Sequence, residues 1–446
     1  MSRPPATPTA PADRPRRILL VDADAFFVAV ARMVDPKGAG RATLLIVGGA
    51  PGSRGVVCSA SYEARAYGVR SAMPISHAVR LCPDALCVPV PRGACSRKSR
   101  EIGAVLSRFA PVVQPASIDE WYLDLSGTEA LYGNAPLETV AHRIRDAVRQ
   151  DTGLSVSLGG ATNKLVAKLA VERAKPKPDS GATGVFVVAP GEEEAFMRTV
   201  SLADIPMIGP RFREQLFARG LRTVHDVLAN DVRVLERILG ERAGRWLHER
   251  ARGVDAGVVH AREERKSVSH EDTFDRDIAD DETLEVELVR LVTRVASDLR
   301  ARGLSARTIT VKLKDADFRI RRASRTLESA VVSDRVILAT ARELLAKLRL
   351  ARPTPARLLG VGLSGLAEGE LVTQMSLFED ARAPEATETA RDRALAGAVD
   401  ALRAKFGADA VIPGRLTERT GERTGERTGE RTGERTAERA RKAPNR

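Results

Sequence analysis

Aromatic residues, histidine and cysteine are all scarce in this chain: aromatics make up 4% of its 446 residues, beside six histidines and four cysteines. Cys58, Cys82, Cys87 and Cys95 form no Cys-x-x-Cys pair and have no histidine cluster beside them. That excludes a zinc-finger type of site and leaves reduced intracellular thiols as the expectation. No apolar run approaches the length that crosses a bilayer. Residues 1–17 are Pro, Ala, Thr and Arg without the apolar stretch of a signal peptide. A soluble, cytoplasmic protein without membrane contact is therefore expected. Arginine far outnumbers lysine and alanine is abundant, which reads as genomic base composition rather than mechanism.

What is present is positive charge and length. A net charge of +12 favours a polyanionic partner, although the two termini carry +3 each and leave only +6 on the body. The chain is long enough for two to four domains.

Two acidic signals stand about a hundred residues apart. ILLVDADAFF places Asp22 and Asp24 after an apolar run, and SIDEWYLDL sets Asp119 and Glu120 side by side. Neighbours on a strand face opposite ways, so Asp119 and Glu120 share a target only if the chain turns there. If the two segments lie on adjacent strands, three carboxylates converge and repel unless cations neutralise them. Hard oxygen ligands select Mg²⁺ or Mn²⁺, and an ion pair held this way at a sheet edge serves phosphoryl or nucleotidyl transfer. Taken singly, each signal is weak, because a DE pair is most often a solvated turn.

Residues 18–180 alternate strand-like runs (ILLV, TLLIVGG, GVVCSA, VSLGGA) with helical patterns (SYEARAYGV, PISHAVRLC, TVAHRIRDAVRQ, NKLVAKLAVERA), predicting a mixed α and β domain. Residues 200–256 read as short amphipathic helices. Residues 267–366 run β-α-β-β-α-β, a split-βαβ order. Beyond 366 the pattern decays, save for the small apolar island LVTQMSLFED, into a tail with TGER repeated from Thr420 to Arg435, which predicts largely disordered chain over 381–446.

In this order, VDADAFF, SYEARAYGVRSAMP, SIDEWYLDLSG, ATNKLVAKLA, SVSHEDTF, TITVKLKDADF and LLGVGLSGL resemble the Y-family translesion DNA polymerases, specifically the DNA polymerase IV (DinB) branch. The resemblance implies an α+β right-hand polymerase. Its palm and fingers would span 18–183 (fingers about 27–91), its helical thumb with a helix-hairpin-helix 184–256, and a split-βαβ little finger 263–366. An extension over 1–17 and a linker over 367–380 complete the expected layout.

It implies template-directed addition of dNTPs to a primer 3′ end in damage tolerance. Asp22, Asp119 and Glu120, with the carbonyl of Ala23, would hold two Mg²⁺ ions per active site, Mn²⁺ being able to substitute. Asp24 reads equally well as the N-cap of the helix that follows. Phe27 matches a steric gate, whose ring would clash with a ribose 2′-hydroxyl. Phe26, Ser59, Tyr62, Arg65 and Lys164 match residues at the incoming nucleotide, Tyr62 and Arg65 sharing one helical face and Lys164 standing at a helix start.

IPMIGP resembles a helix-hairpin-helix turn, with Gly209 retained and Met207 where a first glycine is usual. Ala31 and Gln114 replace glutamates of the family pattern outside the metal set. Lys266, Ser267, Lys312, Arg319, Arg321, Arg322 and Arg325, the last five from a segment with nine basic residues over 300–325, would track DNA phosphates. Gln374, Met375, Ser376, Leu377 and Phe378 resemble the peptide that docks on the bacterial sliding clamp, the β subunit of the replicative polymerase. The expected partners are thus primer-template DNA, dNTPs and the clamp, and the expected state is a monomer. A catalytically silent adaptor of the same fold is the alternative from another class, and it has no need of three clustered carboxylates. A palm-type nucleotide cyclase would leave the basic segment and the clamp-like peptide unexplained.

Overall fold

Five strands organise the N-terminal half in the order β5-β6-β1-β7-β8: β1 (Ile18–Ala23), β5 (Val112–Pro115), β6 (Glu120–Asp124), β7 (Val156–Ala161) and β8 (Val185–Val187). The computed structural model describes residues 15–176, 181–261, 264–368, 388–407 and 409–416. β1 is central, antiparallel to both neighbours and buried along its whole length. An unbroken apolar run is what a strand covered on both faces requires. Ile18, Leu20 and Tyr122 face α6 (Lys164–Ala174). Leu19, Val21, Trp121 and Leu123 face the opposite way, toward α1 (Phe26–Val34), α4 (Arg92–Leu106) and α5 (Leu137–Thr152).

A second sheet, β3-β2-β4, is formed by β2 (Leu45–Gly48), β3 (Val57–Ala60) and β4 (Leu86–Val88), and packs with α2 (Tyr62–Ala66) and α3 (Ile75–Leu81). Helices α7 (Glu193–Arg198), α8 (Pro210–Phe217), α9 (Val224–Leu228), α10 (Val232–Leu239) and α11 (Glu241–Ala251) follow. They extend the core on the α6 side through Leu216, Val224, Leu235 and Leu247.

The chain divides into two compact units at Glu263 and Glu264. In the second unit, β9 (Ser267–Ile278), α12 (Asp281–Arg300), β10 (Leu304–Asp315), β11 (Ile320–Val331), α13 (Asp334–Ala351) and β12 (Ala356–Glu368) realise the split-βαβ order. The sheet, β11-β10-β12-β9, is antiparallel throughout. Strict alternation decides its faces. Ile309, Val311 and Leu313 join Leu284, Leu288, Leu291, Val295 and Leu299 of α12 in one core. Thr308, Thr310, Lys312 and Lys314 lie on the other face, uncovered by helices. There Thr308 and Thr326 share a hydroxyl bond of 2.9 Å, and Thr310 and Ser324 one of 2.8 Å.

The C-terminal stretch departs from expectation in one part. Within 381–446, expected to be largely disordered, a helix α14 (Ala390–Phe406) forms behind a capping box of Thr389 and Asp392. Polar contacts attach it to the second unit. Arg300 bridges Asp334 (2.6 Å) and Asp400 (2.6 and 3.0 Å), Arg335 grips Asp392 (2.8 and 2.9 Å), and Glu388 accepts from the Val332 and Ser333 amides. Leu395, Val399, Leu402 and Phe406 recur at helical spacing, yet Leu395, Leu402 and Phe406 remain exposed and only Ala396 of the helix is buried, so this stripe does not mark a buried face. The peptide Gln374–Phe378 and the TGER repeats lie outside the described residues.

Candidate active site

Register brings the two acidic signals together. Asp22, near the end of β1, is the direct partner of Glu120, the first residue of β6. Asp119 precedes the strand in a bend, and its carbonyl accepts from the Ala23 amide at 2.9 Å. The turn that frees Asp119 and Glu120 from opposite faces is therefore present. It lies beside the central strand rather than at the sheet's edge.

Each carboxylate has its own partner. Lys168 Nζ stands 2.7 and 2.9 Å from the two Glu120 oxygens. Lys175 Nζ stands 3.0 Å from Asp22 Oδ2 and also reaches Glu172 at 2.6 Å. The Ser117 hydroxyl donates to Asp119 Oδ1. Burial pushes the Asp22 carboxyl up to about 6; Lys175 pulls it down, and Glu120 and Asp119 add repulsion. Burial works against the Lys175 ammonium as well, yet Asp22 and Glu172 outweigh it and its pKa rises.

Among the described residues, no three metal-ligating side chains are gathered around one point. The donor set nevertheless fits a hard divalent ion. All its atoms are oxygens, and paired residues of an antiparallel ladder have Cα atoms only about 4.5–5.5 Å apart, within reach of side-chain rotation. Asp22, Asp119, Glu120 and the Ala23 carbonyl are the groups that would hold it.

Four of the expected residues, Lys164, Phe26, Ser59 and Asp24, have surroundings of their own. Lys164, expected at the nucleotide phosphates, donates to Gln114 at 2.9 Å and lies over the Tyr122 ring at 4.6 Å. Tyr122 is one side-chain repeat beyond Glu120 on the same face, so Lys164 is held away from the carboxylates. Lys168 and Lys175 take the near positions. The helical spacing of Lys164, Lys168 and Lys175 marks the three together as candidates, without showing which of them meets a carboxylate. Phe26 is buried in the core and Ser59 is largely buried in β3. Asp24 does not cap α1: the N-cap is Ala25, in the left-handed region at φ 43°, without a side-chain bond. Asp24 Oδ1 instead accepts from the Ser157 hydroxyl at 2.7 Å.

Phe27 is half-buried, between the core of the main sheet and a small cluster that includes Leu45 and Val47. Ser61 caps α2 by accepting from the Ala64 amide. On that helix the Arg65 guanidinium lies 5.3 Å from the Tyr62 ring centroid and donates to the Ala60 carbonyl. Burial raises the Tyr62 phenol and the Asp24 carboxylate raises it further, which ties α2 electrically to the end of β1.

α6 owes its placement to glycine. A Cβ on Gly159 of β7 would stand 2.2 Å from the Ala167 carbonyl oxygen and 2.3 Å from the Val171 amide. Asn163 caps the helix by accepting from the Val166 amide and ties it to the Gly253 carbonyl. Gln114, one of the departures from the family pattern, is buried and fixes Lys164, while Ala31 is buried on α1.

In the hairpin before α8, Met207 adopts φ +74° and is 84% exposed, the strained position a glycine would take freely. Gly209 has an ordinary extended conformation.

The basic residues of the second unit divide by face. Arg321 grips the fully buried Asp315 with two bonds (2.7 and 3.0 Å) and also donates to the Leu348 and Arg352 carbonyls. It is thereby withdrawn from the expected phosphate contact. Arg325 pairs with Glu343 of α13 at 2.5 Å, on the helical side. Lys312 is on the open face, 2.6 Å from Glu271 and opposite Arg322 of β11. Ser267 shares that face, with exposed Lys266 before it, and Arg319 is exposed in the β10–β11 turn.

A family profile described as impB/mucB/samB matches residues 21–172, and that family's C-terminal domain matches 265–377. A DNA polymerase IV of Caulobacter vibrioides is 37% identical over 395 residues, covering 89% of this chain and 93% of that one. One of Methanoculleus marisnigri is 41% identical over 368 residues, covering 82% and 98%. Among solved structures, a Y-family DNA polymerase chimera superposes with a TM-score of 0.70 at 26% identity, over 79% of this chain and all of the other. DinB from Sulfolobus solfataricus does so with a TM-score of 0.53 at 26% identity and the same coverage. The chain belongs to the impB/mucB/samB family, in the DNA polymerase IV branch of the Y-family translesion DNA polymerases.

Proposed function

We propose that this DNA-directed DNA polymerase adds dNTPs to a primer 3′ end by two-metal nucleotidyl transfer, with Asp22, Asp119, Glu120 and the Ala23 carbonyl as the metal-holding set. The observation that carries the reading is the register pairing of Asp22 with Glu120, with the Asp119 carbonyl bonded to Ala23. Two bound Mg²⁺ or Mn²⁺ ions would supply a lowered pKa for the primer hydroxyl and neutralisation of charge on the departing pyrophosphate.

The protein's own groups do the rest. Lys175, at the end of α6 beside Asp22, and Arg65, which can bind two phosphate oxygens at once, face the triphosphate, with Tyr62 alongside. Phe27 rejects the 2′-hydroxyl by clash. Lys312, Lys314 and Arg322, with Ser267 and the hydroxyl ladder of the open sheet face, receive DNA phosphates. Lys266, Arg319 and the Met207–Gly209 turn add contacts that do not read sequence. The segment Gln374–Phe378 docks on the bacterial sliding clamp. The protein acts as a monomer in the cytoplasm on chromosomal DNA; among the described residues no helix is long and apolar enough to cross a membrane.

The test is primer extension by the double variant Asp119→Ala, Glu120→Ala with Mg²⁺ and all four dNTPs. Extension should vanish while affinity for primer-template DNA, measured by fluorescence anisotropy, stays near the parent's. Appreciable extension by the cleanly purified variant would remove the metal assignment and bring back a carboxylate-independent role such as an adaptor.

A further inference from the structure

Two of the three carboxylates are already neutralised from within. Lys168 lies on α6 and Lys175 seven residues on is its C-cap, whose amide still bonds to the Val171 carbonyl, so the two ammonium groups come off the same side of the helix, two turns apart. One ammonium covers both oxygens of Glu120 and the other covers Asp22 Oδ2, at 2.7–3.0 Å. Lys164, on the same stripe, is committed to Gln114 and the Tyr122 ring, so two cations serve Glu120 and Asp22, Lys175 being shared with Glu172 at 2.6 Å. Asp119 is held by a neutral hydroxyl. An ammonium at this distance directs its hydrogens at the lone pairs that a divalent ion coordinates at about 2.0–2.1 Å. The two occupants exclude each other.

We propose that Lys168 and Lys175 are built-in counter-ions of the carboxylate site, holding Glu120 and Asp22 in the protein without metal and competing with divalent cations for the same oxygens. The inference rests on the assignment of these carboxylates as metal ligands. It adds that metal affinity is set by a displacement. Without the lysines, Asp22, Asp119 and Glu120 would face one another uncompensated, and Asp22 already bears the repulsion of both neighbours. With them, the protein is stable without metal but binds it less tightly, so the site fills readily only when another anion draws the lysines off. The triphosphate of the incoming nucleotide is such an anion.

Lys168→Met separates the roles, because it leaves Lys175 and all the carboxylates in place. The full chain is titrated with Mn²⁺ alone, without DNA or nucleotide, following the free ion by electron paramagnetic resonance, and is melted in EDTA and in millimolar Mn²⁺. Lys168→Met should melt below the parent in EDTA, bind Mn²⁺ about fivefold more tightly, and regain most of the deficit when Mn²⁺ is added. Lys168→Arg, which restores the charge, should return both quantities toward the parent's. Equal or weaker Mn²⁺ binding by Lys168→Met, or a melting deficit that Mn²⁺ leaves untouched, overturns the proposal and makes the lysine an ordinary structural partner. If the Asp119→Ala, Glu120→Ala variant binds Mn²⁺ as tightly as the parent, the metal assignment falls, and the proposal falls with it.

Discussion

Replacing Gly159 by alanine adds a single methyl group and should disable the enzyme. The new Cβ would meet the Ala167 carbonyl oxygen at 2.2 Å, the Val171 amide nitrogen at 2.3 Å and Val171 Cα at 2.8 Å. All three are helix backbone, so no side chain can swing aside, and α6 must retreat by about 1 Å to reach ordinary van der Waals contact. Overpacking of a close-packed core costs about 1–3 kcal/mol, and this contact belongs at the upper end because the opposing surface is rigid. The same retreat shifts Lys175, proposed to face the triphosphate, from its place at the end of α6. A misplacement of about 1 Å in a positioning group can cost about a hundredfold in rate.

The assays are thermal unfolding and single-nucleotide insertion, with Gly397→Ala as the control. Gly397 is in the middle of α14, a Cβ there meets nothing within 4 Å, and the substitution should stabilise by up to about 1 kcal/mol through helix propensity. A Gly159→Ala protein with the parent's melting temperature and insertion rate would refute the claim that close approach of α6 to β7 sets the site.

Phe27→Ala should raise the ratio of ribonucleotide to deoxynucleotide incorporation by orders of magnitude, since removing a clash admits the excluded sugar; an unchanged ratio returns Phe27 to a packing role. Met207→Gly should raise stability by about 1 kcal/mol in chemical denaturation, because a non-glycine residue at φ +74° is strained, and no gain would mean that the exposed side chain compensates the strain. Replacing Gln374, Leu377 and Phe378 together by alanine should leave extension of a short oligonucleotide unchanged and abolish stimulation by the sliding clamp. Two buried anchors at about 1.5–3 kcal/mol each imply at least a hundredfold loss of clamp affinity, and clamp binding as tight as the parent's would make this segment structural.

Much of the fold was legible because its signals are local. The apolar run ILLV reads as a strand covered on both faces, and alternation in TITVKLK reads as a sheet covered on one. The residues Asp22, Asp119 and Glu120 stood out through residue type and order. α14 was not expected: its short stripe of Leu395, Val399, Leu402 and Phe406 is left largely exposed, and what holds it are the long-range partners Arg300, Arg335 and the Val332 and Ser333 amides, which no local pattern shows. The bases of 300–325 looked equivalent in sequence; pleating divided them, turning Arg321 onto buried Asp315 and leaving Lys312 and Arg322 on the open face.

What the sequence by itself determined is which residues carry charge, which segments alternate and where the turns fall, because each depends on neighbours a few positions away. What only the tertiary structure decided is which lysine meets which carboxylate. Lys164, Lys168 and Lys175 are alike as residues on one stripe. Their different partners follow from where α6 seats on Gly159, and hence on which rung of β1 and β6 each ammonium comes to rest, a long-range registration that no local pattern encodes.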